Sequence, residues 1–487
     1  MSPIVPAELA ARLGRWSAGR GPLYLLLAGR LRALIDDGDL PPGAALPTDR
    51  ALATALSAGR TTVVAAYDLL RQEGRLVRRQ GSGTWVAGAG AEPPNTTEPT
   101  VNPVFLHLLD PPDHVAQFAC AGPLAAPPEV IAAYRGALEA LGGPDLGYHP
   151  AGHPRLRAAL AERYTARGVP TSPGRILITT GGQQGLALLA RALVAPGAEV
   201  LVQAPTYPGA LEIFRESAAA LVPIRNTIEG YAAALARKPA LAYLIPANHN
   251  PTGHTLPESN RRAIVAAALA HGVPLIVDDV TADLTFPDRR ARTAPDARAA
   301  PDAAAAPDAD ELITVGSLSK VVWGGLRIGW VRAQPALIGR LARLKAVIDL
   351  GSGVLDQLAA VELLENLDDL AGQRIRTLAA RHDHLCAELR RHLPEWQFEP
   401  ARGGQTIWVR LPHGDAASYA QAALREGVAV LPGGSLDPSG ASTDHLRIPF
   451  VAEPAALTAG VRAMAAAWRG FTGRAAISPP PLPAIAV

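Results

Sequence analysis

Ser317-Leu318-Ser319-Lys320 follows directly on the apolar run Leu312–Val315. A lysine just past a buried strand is costly unless it has a partner or a reaction. The chain has only three lysines, Lys238, Lys320 and Lys345. Arg327 stands seven residues further on, after Gly324-Gly325. An amine able to form an imine, beside hydroxyls and a guanidinium able to hold a phosphate, suits an aldehyde cofactor with a phosphate arm. Taken alone, the same pattern is that of a lysine snorkelling to the surface.

Three further segments bear on the choice. Thr179-Thr180-Gly181-Gly182-Gln183-Gln184 lies between an apolar run and a helical pattern, where glycines let backbone N–H groups approach an anion. Asn248-His249-Asn250-Pro251-Thr252-Gly253 ends another run, and Asn250 can donate to a phenolic oxygen. Leu275-Ile276-Val277-Asp278-Asp279 puts carboxylates at a strand end, where Asp278 can keep a pyridinium nitrogen protonated. Singly, these read as a glycine turn, an Asn-Pro turn and a helix cap. Together, at strand ends, they point to pyridoxal 5'-phosphate, because open α/β sheets bind ligands at the carboxyl ends of their strands.

The elements that must position these residues are legible as alternation. Ile176-Leu177-Ile178, Val200-Leu201-Val202, Leu241–Ile245, Leu275–Val277 and Leu312–Val315 read as strands buried on both faces. Helical patterns such as Gln184–Leu193 and Arg261–His271 lie between them. The expected fold is α/β: a large, mostly parallel sheet covered by helices, over 115–360, and a smaller α/β lobe over 361–472. The Pro-rich stretch 88–114 reads as a linker, 287–310 with its Pro-Asp-Ala units as a solvated loop, and 473–487 as a loose tail.

Residues 1–87 differ in charge, with eleven Arg against seven acidic residues. Thr48 is an N-cap candidate for a short helix through Leu52 and Leu56. After Ser57-Ala58-Gly59 a second helix starts near Arg60, with Val63, Ala66, Tyr67 and Leu70 on one face. Extended runs flanking Gly81-Ser82-Gly83 read as a hairpin. This is a helix-turn-helix with Arg60, Thr61 and Thr62 where they can reach bases and phosphates, and Arg78 and Arg79 beside them. A small helical domain contacting another protein has the same pattern.

From Pro22 to Val86 the chain resembles the winged helix-turn-helix of GntR regulators. The match includes Leu46-Pro47-Thr48-Asp49-Arg50, Arg60-Thr61-Thr62-Val63 and Gln80-Gly81-Ser82-Gly83-Thr84. It implies DNA contacts from Arg50, Arg60, Thr61, Thr62, Arg78, Arg79, Gly81 and Ser82. Gly59 replaces the serine usual before the arginine.

From about Asp113 to Gly470 the body resembles fold-type-I aminotransferases, through Tyr148-His149-Pro150-Ala151-Gly152, Pro205-Thr206-Tyr207-Pro208-Gly209, Asn250-Pro251-Thr252-Gly253, Asp278, Ser317 to Lys320, Arg327 and His445-Leu446-Arg447. The resemblance implies that Lys320 forms the imine and Asp278 pairs with the ring nitrogen. Asn250 takes the phenolic oxygen, and Tyr207 covers the ring. Gly181, Gly182, Gln183, Ser317 and Arg327 hold the phosphate, with Tyr148 reaching the partner subunit's. Arg447 takes an effector carboxylate. Val280 stands where relatives often carry a tyrosine that donates to the phenolic oxygen. The combination resembles the MocR subfamily. It implies a homodimer that binds operator DNA and senses an amino-acid-like effector, or pyridoxal phosphate itself. The alternative is a working aminotransferase whose DNA-binding module is vestigial.

Composition narrows the remaining classes. Of 487 residues, 48% are hydrophobic, which supports sizeable cores, and the net charge of +2 gives no whole-chain case for a polyanion or membrane partner. Cys120 and Cys386 stand far apart with no CxxC, which excludes a disulfide framework and a cysteine-built zinc site. No metal site is expected. No apolar run reaches the roughly 18 residues of a membrane span, so a cytoplasmic protein is expected.

Overall fold

The computed structural model describes residues 4–14, 16, 23–41, 43–56, 58–72, 75–79, 83–86, 115–224, 228–287 and 311–471. The chain divides into two compact units, Met1–Val101 and Asn102–Val487. The expected linker, the hairpin tip Gln80-Gly81-Ser82, residues 288–310 of the Pro-Asp-Ala loop and the tail lie outside the described residues.

In the first unit, helices Pro6–Leu13, Leu23–Asp36, Asp49–Ala55 and Arg60–Gln72 accompany strands β1 (Ala45–Leu46), β2 (Leu76–Arg79) and β3 (Gly83–Val86). The strands pair antiparallel in the order β1-β3-β2, with Arg79 opposite Gly83. Thr48 caps the third helix, its Oγ1 accepting from the Ala51 N–H at 3.3 Å. The helical face read from the sequence is the core face: Val63, Ala66, Tyr67 and Leu70 are buried with Leu27, Leu31, Leu52 and Leu76. The Tyr67 hydroxyl donates to the Pro47 carbonyl at 3.1 Å, tying the second helix of the helix-turn-helix to the start of the first.

The second unit holds two sheets. Strands β4 (Ala116–Phe118), β5 (Ile176–Thr179), β6 (Glu199–Gln203), β7 (Ala220–Ile224), β8 (Leu241–Leu244), β9 (Leu275–Asp278), β10 (Ile313–Ser317) and β11 (Gly329–Arg332) come first. Then come β12 (Gln397–Phe398), β13 (Thr406–Arg410), β14 (Val428–Pro432) and β15 (His445–Pro449). The larger sheet has seven strands in the order β5-β11-β10-β9-β8-β6-β7. Every residue of β5, β8, β9, β10 and β11 is buried, as the unbroken apolar runs require. Only β11 runs against its neighbours, pairing antiparallel with both β10 and β5. Its first residue therefore lies beside the last residues of those two strands: Gly329 pairs with Ser317 and with Thr179.

The smaller sheet runs β12-β13-β15-β14-β4. It corrects the expected domain boundary at 115: β4 pairs in parallel with β14, so residues 116–118 belong to the small lobe's sheet. The cut at 360 also falls inside a helix, Val354–Glu365. The physical reason is packing. Phe118 is buried against Gly460 of the helix Pro454–Gly470, where a Cβ would lie 2.2 Å from the ring. Gly460→Leu should displace Phe118, cost about 1–3 kcal/mol of stability and lower the thermal midpoint. Gly470→Leu should leave the midpoint unchanged, since a Cβ there meets nothing within 4 Å.

Candidate functional site

The parallel strands all end at one edge of the larger sheet. The loops that leave β5, β6, β8 and β10 there carry Gly181, Tyr207, Asn250 and Lys320, Asp278 is the last residue of β9, and β11 brings Arg327 to the same edge by entering it in the opposite sense. Gly181 has φ +93, the left-handed region that favours glycine, and a Cβ on it would lie 2.9 Å from the Arg327 guanidinium. A Cβ on Gly329 would lie 2.5 Å from the Gly181 carbonyl carbon. Arg327 itself is left-handed (φ 53) and donates to the Gly324 and Thr180 carbonyls.

The helix Gly182–Leu193 starts here with no side-chain cap, which leaves its first N–H groups for an anion. Ser317 Oγ sits alongside, donating to the Ile328 carbonyl at 3.0 Å and accepting from the Ser319 N–H at 3.1 Å. The Gln183 carboxamide is engaged elsewhere: it accepts from the Tyr207 hydroxyl at 3.0 Å and donates to the Gly209 carbonyl at 3.1 Å. Gln183 can therefore serve an anion through its backbone rather than its side chain. Burial, with Asp278 nearby, pushes the Tyr207 phenol up to about 12.

Asp278 is buried and held from two sides. Its Oδ2 accepts from the Tyr243 hydroxyl at 2.5 Å, and its Oδ1 from the Val280 N–H at 3.1 Å. Burial raises its carboxyl pKa, while these two donors and Lys320 oppose the rise. Lys320 donates from Nζ to the Ala121 carbonyl. Burial lowers its ammonium pKa, which favours the free, nucleophilic amine. Arg447 lies in β15 of the smaller sheet, 3% exposed, donating to the Ala119 carbonyl and to Asn250 Oδ1. With Oδ1 facing the guanidinium, Asn250 presents its Nδ2 as a donor. Burial brings the Arg447 guanidinium down to about 10, and its Nε has no hydrogen-bond partner.

Lys320, Asp278, Asn250, Tyr207, Gly181, Gly182, Gln183, Ser317, Arg327 and Arg447 thus gather around one edge. Tyr148 is 61% exposed, and no hydrogen bond ties it to them among the described residues. In the first unit, Arg50 is exposed on its helix, Thr62 is half-buried in the first turn after Arg60 and Thr61, and Arg78 and Arg79 end β2. Gly81 and Ser82 lie outside the described residues.

Sequence reasoning missed Tyr243, Cys120 and the carbonyls of Ala119 and Ala121. Strand register places Tyr243: in β8 it stands opposite Ile276 of β9, two residues before Asp278 and on the same face. The closeness of Cys120 to Lys320 and Arg447 depends on β4 crossing to the smaller sheet.

The body matches the family "Aminotransferase class I and II" over residues 121–463, and the head matches "Bacterial regulatory proteins, gntR family" over residues 23–86. An uncharacterized HTH-type transcriptional regulator YisV of Bacillus subtilis is 30% identical over 429 residues, 82% of this chain and 86% of that protein. The probable rhizopine catabolism regulatory protein MocR of Rhizobium meliloti is 28% identical over 77% of this chain and 78% of its own length. Among solved structures, LysN, the alpha-aminoadipate aminotransferase of Thermus thermophilus complexed with N-(5'-phosphopyridoxyl)-L-leucine, is similar. Its TM-score is 0.66 at 29% identity, over 75% of this chain and 94% of that one.

Fold and site together define a helix-turn-helix regulator fused to an aminotransferase-like body on a fold-type-I scaffold. The chain belongs to the MocR family of GntR-type transcriptional regulators. Among its described residues no helix is long and apolar enough to cross a membrane.

Asp279 adds a pH dependence. Burial, with Asp278 beside it, pushes its carboxyl up to about 7 against Arg261 and Arg167. A carboxyl whose folded value lies above its unfolded one binds more protons when folded. Stability should therefore fall as pH rises from about 4 to about 7. Asp279→Asn should flatten that part of a thermal-midpoint profile.

Proposed function

We propose that this regulator holds pyridoxal 5'-phosphate at the Lys320 site and reads an amino-acid-like effector through Arg447, as an operator-binding homodimer. The observation that carries the reading is Arg447: a guanidinium buried to 3%, with neutral oxygens as partners and an orphan Nε. A buried guanidinium so placed suits a carboxylate, whose two oxygens match its fork. The cofactor fits the residues present. The uncapped helix start, Ser317 and Arg327 would hold its phosphate, Asp278 its ring nitrogen, and Asn250 its phenolic oxygen, with Tyr207 covering the ring. When bound, it supplies an aldehyde carbon that exchanges one amine partner for another.

Lys320 supplies the resident amine, and burial lowers its ammonium pKa. Tyr243 and the Val280 N–H hold the Asp278 carboxylate in place. An effector reaching from Arg447 on β15 toward Lys320 after β10 spans both lobes of the second unit. It therefore binds one arrangement of the lobes better than another, which is the condition for a ligand to shift an equilibrium. Large apolar side chains exposed at Leu124, Ile131, Leu138, Leu146, Val347 and Leu350 are surface that a second copy of the chain would cover.

The second reading, a working aminotransferase, is favoured by the presence of both Lys320 and Arg447. Val280 counts against it, because it cannot supply the phenolic donor found in relatives. Steady-state transamination beside a DNA mobility shift separates the two: turnover without operator binding would overturn the regulator.

Lys320→Ala should lose the borohydride-fixed cofactor and the effector response while keeping basal operator affinity. Colourless wild-type protein would sink the cofactor assignment. Arg447→Gln should weaken the effector about 10- to 100-fold, the worth of hydrogen bonds to a charged group, without loss of cofactor colour. In the head, Arg50→Ala should weaken operator binding and reduce the salt slope of the association constant by about 1.

A further inference from the structure

The loop that bears Tyr148 carries a set of side chains that the reading above does not use. Asp145, His149 and His153 converge there, their donor atoms all within 4.8 Å of one another. Asp145 Oδ2 lies 2.9 Å from His149 Nε2 and 3.8 Å from His153 Nε2. A tetrahedral zinc ion with bonds near 2.0–2.2 Å needs donors roughly 3.3 Å apart, and the two distances bracket that value. The two imidazoles meet edge to face, with centroids 5.0 Å apart and planes at 74°, so their nitrogens converge on the carboxylate without the rings stacking. Both histidine side chains are largely covered, at 20% and 14% exposure, and Asp145 is 40% exposed.

The backbone holds the set in place. The Gly147 N–H donates to Asp145 Oδ1 at 2.9 Å, the Gly152 N–H to the His149 carbonyl at 2.8 Å, and the His153 N–H to Gln357 Oε1 at 2.6 Å. A Cβ on Gly351 would strike the His149 carbonyl at 2.6 Å, so a second segment pins the loop from behind.

We propose that Asp145, His149 and His153 form a three-donor site for a divalent transition-metal ion of the zinc class, with a fourth position that these side chains do not fill. Two imidazoles and one carboxylate are the donor set such ions prefer over magnesium or calcium. Binding through His153 Nε2 moves that ring's proton to Nδ1 and gives up the 3.3 Å bond from the Arg155 N–H, the longest hydrogen bond the three side chains make. The ion clamps residues 145–153, and with them the exposed Tyr148. Cysteine spacing carries no trace of such a site, because these ligands come from a turn and the cap of the following helix, Pro154–Ala166.

The test is calorimetric titration of chelator-treated, cofactor-loaded full-length protein with Zn2+. One ion per chain is expected. His149→Gln, His153→Gln and Asp145→Asn should each weaken it at least about tenfold, the effect of losing one of three donors. His254→Gln, an exposed histidine elsewhere, should not. Far-ultraviolet circular dichroism and the visible cofactor band confirm that each variant is folded. X-ray absorption should place two imidazoles around the ion. Undiminished Zn2+ affinity in both histidine variants, or no binding below about 100 µM, overturns the proposal. Lys320→Ala protein should keep the site, so a failure of the cofactor reading and a failure of this one give different results.

Discussion

Two cations, Arg447 buried and Lys320 half-buried, meet at the junction of the sheets, and the surrounding segments are arranged to hold them. Lys320 and Arg447 make no ion pair among the described residues; their oxygens come from the Ala121 and Ala119 carbonyls and Asn250. Burying a charge without a paired opposite charge costs several kcal/mol even after relaxation. Asp278 offsets part of this for Lys320. The arrangement is a poor choice for stability, since Arg447 has given up its hydration without an opposite charge in return.

Holding that constellation requires both sheets. Lys320 follows β10 of the larger sheet, Arg447 lies within β15 of the smaller, and the segment 119–121 that accepts from both follows β4. β4 is early in the chain but pairs with β14, near its end. The chain thus passes through the site on its way from the small sheet to the large body. The antiparallel β11 does similar work at the anion end. Because it enters the sheet from the edge where its neighbours leave, Arg327 arrives beside Thr180 and the uncapped helix start. A parallel strand in that position would have put its entry on the opposite edge.

Several features were legible from residue order because they are local. The cap at Thr48, the face Val63-Ala66-Tyr67-Leu70 and the buried strands from Ile176 to Val315 depend on helical spacing, capping chemistry and unbroken apolar runs. Some of the candidate site residues were legible for a related reason: Asp278 ends a recognisable strand, Gly181, Tyr207, Asn250 and Lys320 follow others, and the carboxyl ends of parallel strands share an edge, whereas Arg447 lies inside β15. The boundary at residue 115 was misplaced because strand order within a sheet is not written in chain order. Tyr243 was missed because its partner Asp278 lies 35 residues away and meets it only through strand register.

By itself, then, the sequence determined which residues can do chemistry, that several of them end or follow strands, and that a DNA-reading head precedes an α/β body. Periodicity, glycine turns and caps are short-range physics, and residue order contains them. Tertiary structure alone decided that Gln183 spends its side chain on Tyr207, that Arg447 keeps an unpartnered Nε beside Asn250, and that Asp145 meets two histidines. Those outcomes depend on which segments finally touch. That is a property of packing summed over the whole unit, and no window of sequence carries it.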